Sequence, residues 1–130
     1  YSAARGHGAW LAEHGNVRQL HGPDPERVGK LLGTGFSYDG EVRAEQYAAL
    51  PALAGQFADV RRLGSAALDL CMVADGSLDA YIERGLNEYD YAAGALIVEE
   101  AGVPVQRPPK PSDDAERLDA VTVAGAALLG

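Results

Sequence analysis

The sequence predicts an α/β protein, a layered sandwich in which a mixed β-sheet is flanked by helices. Two observations predict it. Strand-like and helix-like segments alternate along the chain, the order that builds layered α/β domains. Within each segment, apolar residues recur with a period near two or near 3.6. The 130 residues fit one domain, residues 1–130, and a 47% apolar composition is enough to bury a core. Charged residues make up 23%, close to the globular average, which excludes wholesale disorder.

The elements follow in order. "SAAR" and "GAWLAE" flank the turn-prone "RGHG", and "HGN" turns the chain again before "VRQL", so residues 1–20 read as paired strands. "HGPDPERVG" reads as a loop or helix start, with Asp24 as cap and Pro25 at a first helical position. "KLLGTGF" reads as a buried strand ending in glycines. Residues 41–57 carry Val42, Tyr47, Leu50 and Leu53 at helical spacing, in a helix disturbed near Pro51. "DVRRL" is a short strand. "GSAALDLCMVADG" has helical period, with Ser65 as N-cap, Gly76 as the residue past the C-cap, and Ala67, Leu68, Cys71 and Ala74 as its inner stripe.

"LDAYIERG" alternates as a strand, with Tyr81 and Glu83 on one face and Glu83 near its carboxyl end. The next helix is expected over 91–101, with Ala92, Ala93, Leu96, Ile97 and Ala101 inward and Gly102 as its stop. "VPVQ" is an edge strand that tolerates Pro104, and "RPPKPSDDAER" reads as a proline-rich exposed loop. "DAVTVAGAALLG" reads as a strand followed by the start of a helix. There is no internal repeat.

Net charge is −8, which speaks against a nucleic-acid or anionic-membrane surface and suits cation binding or plain solubility. No apolar run reaches the length of a membrane span, and no basic-then-apolar signal segment opens the chain. Cys71 is the only cysteine, so no intrachain disulfide forms; it reads as a buried small hydrophobe, and the expected setting is cytoplasmic. Tyr1 stands where a methionine would begin a chain, inside a hairpin pattern, which reads as a domain excised from a longer protein.

Ligands in α/β sheets gather where strands end and helices begin. Glu83 and Asp90 fall at one such junction and Ser65 at a second. Asp90 has two readings here: a helix cap that complements the dipole, or a ligand for a hard cation. Glu83 has two as well: a site carboxylate, or a surface partner of Arg84 or of a solvent-facing lysine. "GTGF" lacks the G-K-[ST] of a phosphate loop, His7, His14 and His21 share no face for a metal, and no G-x-S-x-G elbow is present.

Asp59 to Gly102, "DVRRLGSAALDLCMVADGSLDAYIERGLNEYDYAAGALIVEEAG", resembles the C-terminal half of the inositol monophosphatase family. That family's pattern is close to R-x-x-G-S/T-A-A-L-D-L-x-x-V-A-x-G-x-x-D-A-Y-x-E, followed by W-D-x-A-A-G-x-x-I-V-x-E-A-G-G. Upstream, "RGHGAWLAEHG" and "LLGTGFSYDGEVRAEQ" are similar to its hairpin and its next strand and helix start. Three departures stand out. Tyr89 replaces the usual Trp, and Val103 replaces a second glycine. The G-E-x/E-E and D-P-x-D-G-T/S elements that carry the family's other metal ligands are absent; "PDPERVG" and "ADGS" do not match them.

The resemblance implies the C-terminal half of the family's fold and a Mg²⁺-dependent phosphomonoesterase, in which an activated water attacks phosphorus in line and no phosphoenzyme forms. It implies that Asp90 is a catalytic residue and metal ligand, and that Glu83 binds a substrate hydroxyl. It places Gly64, Ser65 and Ala66 at a substrate-contacting helix entrance, with Arg61 supporting that region or a subunit contact. It implies a small phosphate ester as substrate, with Glu83 typical of the inositol branch, and a homodimer. With one metal ligand of its own, the chain alone is expected to be inactive. The rival expectation is a non-catalytic dimerisation or partner-binding module.

Overall fold

The computed structural model describes residues 1–130. A three-stranded antiparallel sheet comes first: β1 (Ser2–Ala3), β2 (Ala9–Glu13) and β3 (Asn16–Leu20), in that order. The second sheet has five strands in the order β5-β4-β6-β8-β7: β4 (Leu31–Thr34), β5 (Asp59–Arg61), β6 (Ala80–Arg84), β7 (Val105–Gln106) and β8 (Val121–Gly125). β4 runs parallel to β5 and β6, whereas β8 is antiparallel to β6 and β7, so the sheet is mixed as expected. The helices are α1 (Gly40–Ala54), α2 (Ala66–Ala74), α3 (Glu88–Glu100) and α4 (Asp114–Asp119). No helix is long and apolar enough to cross a membrane.

The core lies where α2 and α3 pack between the two sheets. Leu70, Val73 and Ala74 of α2 meet Ala95, Ile97 and Val98 of α3, with Tyr81 and Ala124 from one sheet and Ala9 and Leu20 from the other. Gly94 lets the helices approach: a Cβ there would stand 2.7 Å from Leu70 Cβ. This corrects two expected stripes. Leu68 is 45% exposed and Ala67 is exposed, because the buried face of α2 is set by Asp69, Leu70, Cys71, Val73 and Ala74. On α3, Ala93 is exposed and Tyr91, Gly94, Ala95 and Val98 take its place inside. Helices clasped by two sheets are buried on a broader arc than a single amphipathic stripe.

Several ends were read correctly. Ser65 Oγ accepts the Leu68 N–H at 3.2 Å, capping α2, and Gly76 follows its C-cap with φ +85°. α3 ends in a Schellman turn: the Gly102 N–H reaches Glu99 O at 3.0 Å and the Val103 N–H reaches Val98 O at 3.2 Å. One glycine with positive φ suffices, so Val103 in place of a second glycine leaves the cap intact.

Of the two readings of "HGPDPERVG", the loop is the one formed: Asp24 accepts the Glu26 N–H at 2.9 Å and no helix follows. Two readings change. The proline-rich segment contains α4, capped by Asp113, whose Oδ1 accepts the Glu116 N–H at 2.8 Å. The terminal "AALL" is no right-handed helix start: Ala126–Leu129 form a 3₁₀ turn with positive φ throughout. Four residues make barely one turn, too few to nucleate an α-helix from propensity.

Candidate active site

Because β4, β5 and β6 are parallel, their carboxyl ends lie on one edge of the sheet. Each is followed by a turn into a helix: 35–39 into α1, 62–65 into α2, 85–87 into α3. These turns line one open groove of about 860 Å³, closed on a further side by Asp114, Arg117 and Leu118 of α4. Glu83, Asp90, Gly64, Ser65 and Ala66, singled out from sequence, all line it.

Asp90 is the third residue of α3, not its cap. The cap is Asn87, and Asp90 Oδ2 accepts the Asn87 backbone N–H at 2.8 Å, the return half of a capping box. Oδ1 makes no hydrogen bond within the chain. The two sequence readings of Asp90 are therefore compatible: one oxygen holds the helix entrance, and the other is left for a ligand.

Glu83 is not paired with Arg84, whose guanidinium binds Glu45 at 2.7 Å and Asp119 at 2.9 Å. Instead Glu83 Oε1 accepts the Tyr81 phenol O–H at 2.8 Å. Burial pushes its carboxyl above the usual range, against the Tyr81 hydrogen bond and the positive Arg62. Burial first, then the Glu83 charge, also pushes the Tyr81 phenol far up, so it remains a donor. Gly35 makes room for the carboxylate, since a Cβ there would overlap Glu83 Oε1.

Arg61 does not reach the groove. It pairs with Asp59 at 2.6 Å across an exposed strand edge. Its neighbour Arg62 lines the groove instead and lies against Gly64, whose added Cβ would be 3.4 Å from Arg62 Nη1. Arg62 has no ion pair, whereas Arg84 and Arg117, the other groove arginines, both do. Gly64 takes φ +86°, which favours glycine at the turn into α2.

Sequence reasoning missed Asp69, Arg62, Gly35 and the α4 wall. The signals were present: an aspartate inside the apolar run "AALDLCMVA", glycines at alternate positions in "GTGF", and an acidic N-cap in "SDDAER".

Mg²⁺ prefers near-octahedral oxygen coordination. Nowhere do three histidine, cysteine, aspartate or glutamate side chains gather in an arrangement that could hold a metal ion. The residues of this chain therefore do not make a Mg²⁺ site by themselves. Asp90 Oδ1 can supply one ligand to such a site.

The chain is 50% identical over 109 residues to the inositol-1-monophosphatase of Mycobacterium leprae, covering 83% of this chain and 38% of that protein. It is 47% identical over 103 residues to the Nus factor SuhB of Haemophilus influenzae, again 38% of that protein's length. Among solved structures, Mycobacterium tuberculosis SuhB superposes with a TM-score of 0.82 at 44% identity, over 97% of this chain and 48% of that one. The inositol monophosphatase of Anabaena superposes with a TM-score of 0.68 at 36% identity, over 86% and 45%. The chain thus spans well under half the length of these curated relatives. The model of the inositol monophosphatase family matches residues 1–125, the stretch that builds both sheets and the three converging turns, and this chain belongs to that family.

Proposed function

We propose that this chain forms one wall of the active site of a phosphomonoesterase that hydrolyses inositol monophosphate or a related small phosphate ester. Mg²⁺ would be held by Asp90 together with oxygen ligands that residues outside these 130 supply. The observation that carries the reading is the convergence of Glu83 and Asp90 in one groove at the carboxyl ends of three parallel strands.

Each residue has a part that its geometry allows. Glu83, held by Tyr81, accepts a hydroxyl of the alcohol portion. Gly64, Ser65 and Ala66 present the entrance of α2 to the same portion, with the Ser65 hydroxyl engaged in capping. Asp90 keeps one oxygen for the cation while the other fixes the turn before α3.

The test is phosphate release from inositol 1-phosphate with Mg²⁺, comparing the intact polypeptide that carries this chain with the 130 residues alone. The expected result is turnover by the first and none by the second. Turnover by the 130 residues would overturn the shared-site reading, and failure of the intact polypeptide would overturn the phosphatase reading.

One observation favours a second reading. Relatives of comparable identity carry the name Nus factor SuhB, and the second reading we infer for this chain is a non-catalytic dimerisation or partner-binding module. The homodimer expected from the family would give a mass above that of one chain in light scattering. It would persist in an Asp90→Asn variant.

A further inference from the structure

Asp69 is 1% exposed, and its Oδ1 makes no hydrogen bond. A buried carboxylate oxygen without a partner is costly, and a native structure rarely keeps one without a use. Its surroundings connect it to the groove. Gly33 is in register with Tyr81, and residues two apart along a strand share a face. A Cβ on Gly33 would lie 3.5 Å from Asp69 Oδ1, and a Cβ on Gly35 would overlap Glu83 Oε1. Gly33 in β4 and Gly35 just past its end thus leave room for two carboxyl groups on the face that Tyr81 and Glu83 of β6 share, one sealed and one open to the groove.

We propose that Asp69 is a positioning residue for Glu83: of the two, Asp69 carries the proton, so that Glu83 meets a substrate hydroxyl as a carboxylate. The inference rests on the phosphatase reading only in its last clause. Two carboxylates over one low-dielectric floor do not both ionise easily. The proton goes to the one with less compensation. Glu83 has the Tyr81 O–H donor, whereas Asp69 Oδ1 has none.

The charged groups on every side agree. β6 contributes Glu83 and Tyr81, and the β5–α2 turn contributes the opposing charge of Arg62. α3 contributes Asp90, whose charge acts on Glu83 and Tyr81. The nearby residues of β4 and β8, Gly33, Thr34 and Thr122, are uncharged. Burial first, and then the Glu83 charge, pushes the Asp69 carboxyl up to about 7 against Arg62.

Carbon-13 carboxyl NMR of the intact polypeptide tests the pair without any activity. The expected result is an Asp69 midpoint near 7 that falls by at least ~1 unit in Glu83→Gln, because the neighbouring charge is gone. A midpoint near the ordinary aspartate value of about 4, or one that Glu83→Gln leaves in place, would overturn the proposal. In the intact polypeptide, KM for inositol 1-phosphate should rise several-fold as pH passes neutrality, while Asp69→Asn, a neutral isostere, should flatten that rise with kcat retained. An unchanged pH profile in Asp69→Asn would overturn it too. Failure of the phosphatase reading would silence the kinetics but leave the NMR result standing.

Discussion

Asp90 Oδ2 is tied to the Asn87 N–H, and Oδ1 is left over. That division separates two variants. Asparagine keeps a carbonyl oxygen for the Asn87 N–H, so Asp90→Asn should change urea stability by under ~0.5 kcal/mol. Asp90→Ala loses the capping box and should cost about 1 kcal/mol. Under the proposed role of Asp90 as a metal ligand, both should lower turnover of the intact polypeptide by at least ~100-fold, because such a ligand underlies several kcal/mol of transition-state stabilisation. Equal stability loss in the two variants would mean that the capping geometry is unimportant. Gly35 makes a complementary case. Its neighbour is the far end of a flexible side chain, so Gly35→Ala should displace the Glu83 carboxylate rather than unfold the chain. KM should rise about tenfold, the loss of one charged hydrogen bond, with the melting temperature held.

Between α2 and α3 the spacing is set by Gly94. Helix propensity alone favours Gly94→Ala by ~1 kcal/mol. Overpacking against the buried Leu70 costs about 1–3 kcal/mol, and the core should win, giving a net loss near 1 kcal/mol in the urea midpoint at unchanged slope. At this scale the sequence was most legible. β2 and β3 were placed by the turns that flank them, β4 as a buried apolar run, β5 and β8 as strands, β6 by alternation, and α2 by Ser65 and Gly76. What escaped has physical reasons. α4 is a six-residue helix with no buried residue, so it has no periodic apolar signal, only its Asp113 cap. The inward faces of α2 and α3 were misassigned because both helices touch two sheets. The groove was legible through Glu83, Asp90 and Ser65, which sit at strand-to-helix junctions. Asp69 was not, because nothing in its spacing shows that an aspartate in an apolar run turns toward a carboxylate fourteen positions away rather than toward solvent.

For the molecule as a whole, the sign of the pH dependence follows from Asp69. Its carboxyl lies above its unfolded value, so its contribution to stability is complete below the ordinary aspartate range and is lost as pH rises through about 7. Thermal melts of the 130-residue chain should therefore show a lower melting temperature at about pH 8 than at about pH 6, and Asp69→Asn should narrow the difference. A wider difference in that variant would point to another group. With a net charge of −8, added salt should by itself raise stability slightly by screening self-repulsion, so the comparison belongs at constant ionic strength.

The three turns that line the groove all leave the sheet at one edge, while the ladders and the α2–α3 contact lie behind them. Selectivity and scaffold are therefore physically separable. If the proposed activity holds, transplanting segments 35–39 or 62–65 from a homologue with another preferred alcohol should carry that preference across while cooperative unfolding stays the same, which makes this edge the natural place to re-engineer what the groove accepts.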